Sequence, residues 1–347
     1  MTTMLAARLH EAGKPLQIDE VAVPEPAAGE VLVKVKACGL CGTDIHLAIV
    51  GDLPVSYTPI TLGHESAGSV AALGPGVEDF FAEGDRVALY PSASCGRCRY
   101  CLGGRESLCA ASQVYGMARE GGLAEYITAP ARSLLRLPAA VPFDVGAVVT
   151  DGIATPFHAL RARGRLQPGE TVGVFGCGGL GTHAIQFARL MGAAGIIAVD
   201  IDGPARERAL ELGADLALDP GDDGAAKQIR RQLGRGLDLA LEFVGRADTV
   251  ELALRCLDKA GRLVVVGVGM ERPKLPPLAA FVGLEQAVLG SFGMDRADIE
   301  DIYSLIVAGR IDLSESVSAR YPLAEADAAL KRLASKEAGV VRVVVEP

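Results

Sequence analysis

Four cysteines within residues 95–109 form the densest group of potential metal ligands in the sequence. Cys95, Cys98, Cys101 and Cys109 follow the pattern C-x2-C-x2-C-x7-C in a glycine-containing segment. Tetrahedral zinc takes four soft ligands about 2.3 Å from the ion, and short spacings let one loop surround it. Because four protein thiolates leave no position open for a substrate, the pattern predicts a structural zinc site. An iron–sulfur centre and a redox-active cysteine pair are the alternatives, and the ferredoxin type is disfavoured because no proline follows Cys109.

A second set of potential ligands lies nearer the N-terminus. Cys41 begins the segment C-G-T-D-I-H, which ends at His46, and His64 stands between Gly63 and Glu65. Both segments are predicted loops in which ligands from separate parts of the chain can converge. Cys41 and His64 are therefore candidates for a separate, open metal site. Taken singly, each residue also has a structural explanation. A lone cysteine is usually a small buried hydrophobic residue, and a lone histidine is usually a surface or core residue whose hydrogen bonds are satisfied.

The segment 176–181 reads G-C-G-G-L-G and matches the G-x-G-x-x-G pattern. It follows a predicted strand and opens a predicted amphipathic helix, which is the context of a dinucleotide site. The first glycine permits a tight turn, the second lets the backbone approach a pyrophosphate, and the last allows close helix–strand packing. The predicted cofactor-binding residues of this turn are Gly176, Gly178, Gly179, Leu180 and Gly181.

An acidic residue, Asp200, ends the next predicted strand. At this spacing from the glycine turn a carboxylate accepts hydrogen bonds from the adenine ribose, and its charge repels a 2′-phosphate, so NAD is favoured over NADP. The alternative is an α/β domain without a cofactor, in which the glycines form only a turn and Asp200 caps a helix.

The surrounding pattern indicates the elements that must position these groups. Residues 16–137 read as short strands broken by glycine and proline, which is typical of an antiparallel, loop-rich domain. Residues 169–269 repeat the order strand, glycine turn, helix, which predicts a parallel sheet with helices on both faces. The predicted strands are Thr171–Phe175, Gly195–Val199, 237–243 and 262–268; the predicted helices are 183–191, 205–212, Ala225–Leu233 and 249–257, with Gly213 and Gly261 as helix stops. The stretch from about residue 286 is expected to return to the first domain.

Length and composition exclude several classes of protein. With 347 residues, 50% hydrophobic and 22% charged, the chain suits two globular domains rather than a disordered or coiled-coil protein. A net charge of −9 and a pI near 5.2 argue against binding to nucleic acid or to a membrane surface. No run of about 18 apolar residues is uninterrupted, so no membrane span is predicted. Without a secretory-signal pattern, and with too few cysteines for a disulfide scaffold, a reducing, cytoplasmic location is expected.

Together these motifs resemble those of the zinc-dependent medium-chain alcohol dehydrogenases. The segments C-G-x-D-x-H, G-H-E, C-x2-C-x2-C-x7-C and G-x-G-G-x-G occur in that order over essentially the whole chain. The resemblance implies an α/β fold with a GroES-like, β-rich catalytic domain (residues 1–150 and 286–347) and a Rossmann domain with a doubly wound parallel sheet (residues 151–285), with the active-site cleft between them. It also implies two zinc ions per chain, NAD, and a homodimer or homotetramer.

The resemblance assigns Cys41 and His64 to a catalytic zinc. Asp151 occupies the place of the family's third ligand, which varies among Cys, Asp and Glu, although a helix N-cap is an alternative role for it. Glu65 matches the acidic residue beside the metal, which ligates it in some states. Three protein ligands and one open position are what a catalytic zinc requires.

The implied reaction transfers a hydride between a primary or secondary alcohol and NAD, giving an aldehyde or ketone and NADH. Zinc would lower the pKa of the alcohol hydroxyl, and the proton would leave by way of Thr43, the nicotinamide ribose and His46. A turn hydroxyl and a surface histidine are the alternatives for these two residues. The residues expected to contact the nicotinamide half of NAD are Thr155, Val244, Val266 and Val268.

The substrate itself is less determined than the reaction. Polyol dehydrogenases of the family usually carry a Glu-Pro pair near the position of Asp151, and the absence of that pair favours simple alcohols. A polyol or amino-alcohol dehydrogenase with the same zinc and NAD chemistry is the main alternative. A non-catalytic NAD- and zinc-binding protein is disfavoured because none of the three catalytic ligands is missing. The expected partner is a small-molecule alcohol, aldehyde or ketone, with neither nucleic acid nor membrane.

Overall fold

The computed structural model of the chain describes residues 2–221, 224–335, 337 and 339–347. It divides into two compact units, Met1–Ala154 with Asp295–Pro347, and Thr155–Met294. These limits differ slightly from the sequence-based boundaries, because residues 151–154 group with the first unit and residues 286–294 with the second. The latter segment contains a strand, Ala287–Gly290, that pairs within the parallel sheet of the second unit.

The helices and strands alternate irregularly in the first unit and regularly in the second. The first unit begins with β1 (Thr3–Leu9), β2 (Gln17–Ala22), β3 (Glu30–Leu40), α1 (Gly42–Ile45), β4 (Ile60–Thr61), β5 (Glu65–Leu73), β6 (Arg86–Leu89), β7 (Ser92–Ala93), α2 (Arg99–Leu102), β8 (Gln113–Val114), β9 (Tyr126–Pro130), β10 (Leu134–Arg136) and α3 (Phe143–Val148). The chain continues with α4 (Ala154–His158), β11 (Thr171–Phe175), α5 (Gly181–Leu190), β12 (Gly195–Val199), α6 (Gly203–Glu211), β13 (Leu216–Leu218), α7 (Ala225–Leu233), β14 (Leu237–Glu242), α8 (Ala247–Cys256), β15 (Leu257–Val265), α9 (Leu278–Gly283) and β16 (Ala287–Gly290). It returns to the first unit with α10 (Arg296–Val307), β17 (Val317–Pro322), α11 (Ala326–Ala334) and β18 (Arg342–Glu346). Turns of π type occupy His46–Val50, Val149–Ile153 and Ala159–Arg163.

The first unit is built on largely antiparallel sheets. The largest has the order β10-β6-β5-β3-β18-β17, with β9 also paired to β3, and smaller sheets have the orders β2-β1-β4 and β7-β8. In β3 the sequence E-V-L-V-K-V-K buries Val31, Val33 and Val35 in the core, as its alternation predicts. Because β18 pairs antiparallel with β3, the C-terminal segment completes the sheet that carries the N-terminal motifs.

The second unit is a parallel sheet with the strand order β13-β12-β11-β14-β15-β16. Its strands β11 and β12 are continuous apolar runs and are buried along their whole length, as expected where helices cover both faces of a sheet. Strands β12 and β13 follow one another on one side of β11, whereas β14, β15 and β16 follow one another on its other side. This strand order is that of a dinucleotide-binding fold. The predicted fold class is therefore confirmed.

Gly261 departs from its predicted role as a helix stop. Helix α8 ends at Cys256, and β15 begins directly afterwards, so Gly261 lies inside the strand. The register between β14 and β15 shifts near Leu237, and a Cβ at Gly261 would crowd the backbone there. Gly213 does follow α6, with φ of +108°. Glycine in a strand pattern can mark such a bulge as readily as a helix end.

Among the described residues, no helix combines the length and apolar character needed to cross a bilayer. Each unit instead has its own hydrophobic core. The core of the first unit forms around strands β3, β5 and β18, and that of the second around β12, β14 and α8.

Candidate active site and cofactor sites

Four potential metal ligands from three segments converge in the first unit. Cys41 caps the N-terminus of α1, His64 and Glu65 lie at the start of β5, and Asp151 lies in the π-type turn after α3. Their ligand atoms lie within 4.8 Å of one another. The Nε2 atom of His64 is 3.0 Å from Cys41 Sγ and 3.3 Å from an oxygen of Asp151. The structure thus brings together the four residues that the sequence associates with a catalytic zinc.

Burial gives this group a strong preference for a bound cation. Among the described residues, His64 Nδ1, one oxygen of Glu65 and one oxygen of Asp44 are buried without a hydrogen-bond partner. Burial alone lowers the pKa of His64, but the negative charges of Cys41 and Asp44 outweigh it and raise that pKa well above its ordinary value. Burial also raises the pKa values of Cys41 and Asp44. In the absence of a metal, a proton is the cation that the group attracts.

Glu65 forms a buried ion pair that the sequence analysis did not identify. Arg342, the first residue of β18, donates from its guanidinium to an oxygen of Glu65, and both side chains are almost completely enclosed. Burial raises the pKa of Glu65 to about 7, and the opposing charge of Arg342 limits the rise. The pair links β18 to β5 at the edge of the ligand group. Its signal in the sequence is a single arginine before a run of three valines.

Thr43 and His46 lie on the segment that directly follows Cys41. The backbone N–H of Thr43 donates to Cys41 Sγ over 3.2 Å, and its side chain is half-buried. Between them, the fully buried Asp44 accepts the N–H of Cys41. His46 begins the π-type turn, its side chain is 46% exposed, and its Nδ1 lies 2.8 Å from a carboxylate oxygen of Asp52. The segment therefore presents a potential ligand, a hydroxyl and a solvent-accessible imidazole in sequence.

The four cysteines of residues 95–109 also converge. Their sulfur atoms lie within 4.8 Å of one another, with Cys98 Sγ 3.5 Å and Cys95 Sγ 3.9 Å from Cys101 Sγ. Hydrogen bonds from the backbone N–H groups of Arg97 and Cys98 lower the pKa of Cys95 to about 6. The N–H of Cys101 likewise lowers the pKa of Cys98, whereas burial raises that of Cys101 to about 11. The loop backbone thus stabilises the thiolates of Cys95 and Cys98, and the thiolate is the form that binds metal.

Both groups fit zinc by the chemistry of their ligands. The first offers a thiolate, an imidazole and carboxylates, and one oxygen of Glu65 is buried with no other partner among the described residues. In the second, the sulfur separations of 3.5 Å and 3.9 Å bracket the spacing of about 3.8 Å expected for thiolates placed tetrahedrally 2.3 Å from one ion. A 4Fe–4S cluster fits the second group less well, because its four cysteines bind four different iron atoms and must lie farther apart.

The glycine-rich turn joins β11 to α5 in the second unit. Gly176 has φ of +90°, a conformation that favours glycine. A Cβ at Gly181 would overlap the carbonyl group of Gly176, whereas a Cβ at Gly178 would point into open space. No backbone carbonyl of the described chain accepts the N–H groups of Gly178, Gly179 and Leu180. The turn therefore provides both the clearance and the free donors that a pyrophosphate requires.

Asp200 lies at the end of β12, beside this turn. One of its carboxylate oxygens accepts the N–H of Cys177 over 2.6 Å, and the other accepts the N–H of Asp202 over 2.9 Å. A carboxylate can accept about four hydrogen bonds, so capacity remains for two ribose hydroxyls. Asp200 thus stabilises the turn and presents an anion at the expected position of the adenine ribose.

The residues predicted to contact the nicotinamide are distributed over three segments of the second unit. Val244 follows β14, and Val266 and Val268 follow the adjacent parallel strand β15, so these three lie at neighbouring strand ends. Val266 is nearly buried, whereas Val244 and Val268 are exposed. Thr155 is buried on α4. Ligands of parallel sheets bind at the carboxyl ends of the strands, which is where the three valines lie.

Comparison with known proteins agrees with this geometry. Residues 27–139 match the family model for the alcohol dehydrogenase GroES-like domain, and residues 179–308 match that for zinc-binding dehydrogenases. An alcohol dehydrogenase of Geobacillus stearothermophilus is 36% identical over 310 residues, covering 89% of this chain and 90% of the relative. An NAD-dependent alcohol dehydrogenase of Sulfurisphaera tokodaii is 34% identical, covering 99% of this chain and 100% of the relative. The solved structure of an alcohol dehydrogenase from Thermus sp. ATN1 superimposes with a TM-score of 0.91 at 30% identity, covering 99% of both chains.

The chain belongs to the zinc-dependent medium-chain alcohol dehydrogenase family. The family resemblance noted in the sequence is thus confirmed. This dehydrogenase also has a buried carboxylate that the sequence analysis missed, Glu242 at the end of β14. Glu242 accepts the N–H groups of Val244 and Gly245 and the hydroxyl of Thr249. It fixes the loop after β14, and its sequence signal is an acidic residue ending an apolar strand, the same signal that identified Asp200.

Proposed function

We propose that this chain oxidises primary or secondary alcohols to aldehydes or ketones with NAD, and catalyses the reverse reduction with NADH. The observation that carries the proposal is the convergence of Cys41, His64, Glu65 and Asp151 within 4.8 Å, with the first three buried and one oxygen of Glu65 unpartnered among the described residues. The family similarity over nearly the whole chain supports the same class of reaction. A protein that binds zinc only to stabilise its fold would not need a second group of ligands with a position left open.

Cys41, His64 and Asp151 would hold the catalytic zinc, and Glu65 would be an additional ligand. When bound, this zinc is a Lewis acid that lowers the pKa of the alcohol hydroxyl, and NAD accepts the hydride. Arg342 holds one oxygen of Glu65, and the other oxygen is buried without a hydrogen-bond partner among the described residues. Cys95, Cys98, Cys101 and Cys109 would hold a structural zinc that leaves no position for a substrate.

The segment after Cys41 removes the proton of the alcohol. The Thr43 hydroxyl accepts a hydrogen bond from the substrate oxygen and passes a proton outward. His46 receives a proton at its imidazole and releases it to solvent, for which its 46% exposure is suited. In the reduction of a carbonyl the same groups deliver the proton in the opposite direction.

The second unit binds the cofactor through its glycine turn and Asp200. The backbone N–H groups of residues 178–180 would bind the pyrophosphate, and the carboxylate of Asp200 would accept hydrogen bonds from the adenine ribose. The negative charge of Asp200 disfavours the 2′-phosphate of NADP. The predicted nicotinamide contacts remain Thr155, Val244, Val266 and Val268.

The test is activity of the zinc-replete protein with NAD or NADP and a panel of primary, secondary, aromatic and polyhydroxy alcohols, followed by the absorbance of the reduced nicotinamide. We expect NADH formation that is lost in C41S, with zinc content falling from two ions per chain to one. C38S is the matched control, because Cys38 is also buried nearby but accepts a hydrogen bond from Ser66 and can be replaced by a hydroxyl. Full activity in C41S, or no activity with any alcohol at two zinc ions per chain, would overturn the proposal.

We also propose that the protein is a homodimer or homotetramer and that the second unit provides one interface. Helix α9 reads L-A-A-F-V-G, yet it has no buried residue. Beside it in the chain, β16 forms an outer edge of the parallel sheet, and Val288 on it is exposed. A second copy would cover this apolar surface and the sheet edge. Sedimentation should show V282D shifted to a smaller species, with V307D, an exposed valine of α10, unchanged.

A cytoplasmic location belongs to the same proposal. All eight cysteines are free thiols, and two predicted metal sites depend on thiolate ligands. Thiolates of this kind persist in a reducing compartment. Cell fractionation with detection of the tagged chain tests this location, and recovery in an oxidising compartment would refute it.

A further inference from the structure

His46 has a carboxylate partner that the proposed alcohol oxidation does not by itself explain. Its Nδ1 atom lies 2.8 Å from an oxygen of Asp52. Both side chains are partly exposed, at 46% for His46 and 53% for Asp52. The contact therefore leaves the other ring nitrogen, Nε2, as the atom of His46 that is available to exchange protons with substrate and solvent.

The backbone between the two residues is folded to bring them together. After the π-type turn His46–Val50, Gly51 adopts φ of +74° and its N–H donates to the carbonyl of His46 over 2.8 Å. This conformation favours glycine, and it directs the chain back so that residue 52 lies beside residue 46. The N–H of Gly13 also donates to the carbonyl of Ala48 over 2.7 Å, which anchors the turn to a second segment. The approach of Asp52 to His46 is thus set by a closed turn, not by two long flexible side chains.

We propose that Asp52 is a positioning residue for the proton transfer at His46, an inference that rests on the proposed function. In neutral imidazole one ring nitrogen carries the proton and the other accepts. A carboxylate at Nδ1 can only accept, so it fixes the proton on Nδ1 and leaves the lone pair on Nε2. Asp52 thereby holds His46 in the tautomer and ring orientation that can take a proton.

The proton balance of the step follows from these positions. Nε2 of His46 takes up one proton that originates from the alcohol hydroxyl, and the ring becomes a cation. The Nδ1 proton remains in its hydrogen bond to Asp52, whose negative charge stabilises the cation. Nε2 then releases the proton to water, and the neutral ring returns to the starting tautomer without having to turn over.

A second pair in the same protein provides a matched control. His10 Nε2 lies 2.8 Å from an oxygen of Asp19, the same separation as in the His46 pair. His10 directly follows β1 and Asp19 lies on β2, and neither is one of the groups proposed to carry the proton. Because an asparagine side chain can donate to the ring as well as accept, D52N removes both the charge and the tautomer preference. D19N makes the same change at the control pair.

The experiment measures the rate of NADH formation in the first turnover, which excludes product release. We expect D52N to lower this rate roughly fivefold, as for the loss of a partly exposed charge-assisted hydrogen bond, with KM for alcohol and NAD unchanged. D52E should recover part of the rate, and D19N should equal the wild type. In an H46Q background, which removes the base, D52N should have no further effect.

Two results would overturn the inference about Asp52. One is a D52N rate equal to that of the wild type, and the other is an equal fall in both the wild-type and H46Q backgrounds, which would indicate a structural role for the turn. Failure of the proposed function would give a different result from these two, because the wild-type protein itself would then form no NADH.

Discussion

Replacing Arg342 with methionine tests how the buried carboxylate of Glu65 is stabilised. Methionine keeps the length and apolar stem of the side chain but removes the cation. Glu65 is fully buried and one of its oxygens already lacks a partner among the described residues, so R342M leaves the carboxylate without its one ion pair there. Removing one partner of a buried ion pair typically costs about 3–5 kcal/mol.

A second route to the magnitude gives a smaller value. If the unpaired carboxyl escapes the penalty by taking up a proton, it must do so far above its ordinary pKa of 4.5. At 1.36 kcal/mol per pH unit this costs about 5 kcal/mol at pH 8 and about 2 kcal/mol at pH 6. The wild type, in which the pKa of Glu65 is already raised to about 7, carries about 3 kcal/mol of this cost at pH 8 and about 2 kcal/mol at pH 6, so the deficit of the variant by this route is about 1–2 kcal/mol at pH 8 and close to zero at pH 6. The folded-state pKa is raised, so the stability of the variant is highest below the ordinary pKa and falls as the pH rises. The deficit against the wild type should therefore be larger at pH 8 than at pH 6.

Thermal unfolding of the zinc-replete protein at the two pH values measures this deficit. For a unit of about 200 residues, each kcal/mol corresponds to roughly 2–4 °C, so at pH 8 we expect the Tm of R342M to fall by at least about 3 °C. The double variant E65Q/R342M should recover part of the loss, since it removes the buried charge.

R320M is the matched control for this substitution. Arg320 lies on the adjacent strand β17 and pairs with Asp144, but its side chain is 46% exposed. A surface pair contributes at most about 1 kcal/mol, so R320M should change Tm little. The reasoning would be refuted if R342M and R320M lowered the Tm equally. It would also be refuted if the Tm deficit of R342M were the same at both pH values, because a loss of packing alone does not depend on pH.

Three further predictions concern the cofactor turn and the cysteine loop. G178A should fold normally but lose NADH binding by fluorescence titration, whereas G181A should also lower the Tm, because only at Gly181 would the new Cβ overlap backbone; equal Tm values for the two would contradict this. D200G should move the ratio of kcat/KM for NAD to that for NADP toward NADP by roughly tenfold or more, and an unchanged ratio would place the ribose contact elsewhere. After zinc removal, the rate of alkylation of Cys95 should increase with pH through about pH 6 instead of pH 9, because the pKa of this thiol is lowered, and bound zinc should suppress the alkylation. Mass spectrometry of the modified peptide measures the rate, and a rise only near pH 9, or equal rates with and without zinc, would contradict the prediction.

The local patterns were predictable because their chemistry is contained within a few residues. Cys95 to Cys109 form one loop, so their spacing alone indicates a shared ion, and the glycines of 176–181 are required by a single strand–helix turn. The apolar runs of β11 and β12 similarly predicted buried parallel strands. Shorter or irregular elements were harder to predict. Strand β13 has three residues, and Gly261 marks a bulge that a helix-end pattern resembles.

The sequence by itself determined the ligand types, the dinucleotide turn and the alternation of strands and helices, because each depends on side chains close together along the chain. Only the tertiary structure decided that Arg342 contacts Glu65 across 277 positions and that Asp151 reaches the side chain of His64. Such contacts depend on how strands from distant segments pair in one sheet. A side chain's neighbours across a sheet follow from that pairing and its register, which no local pattern specifies.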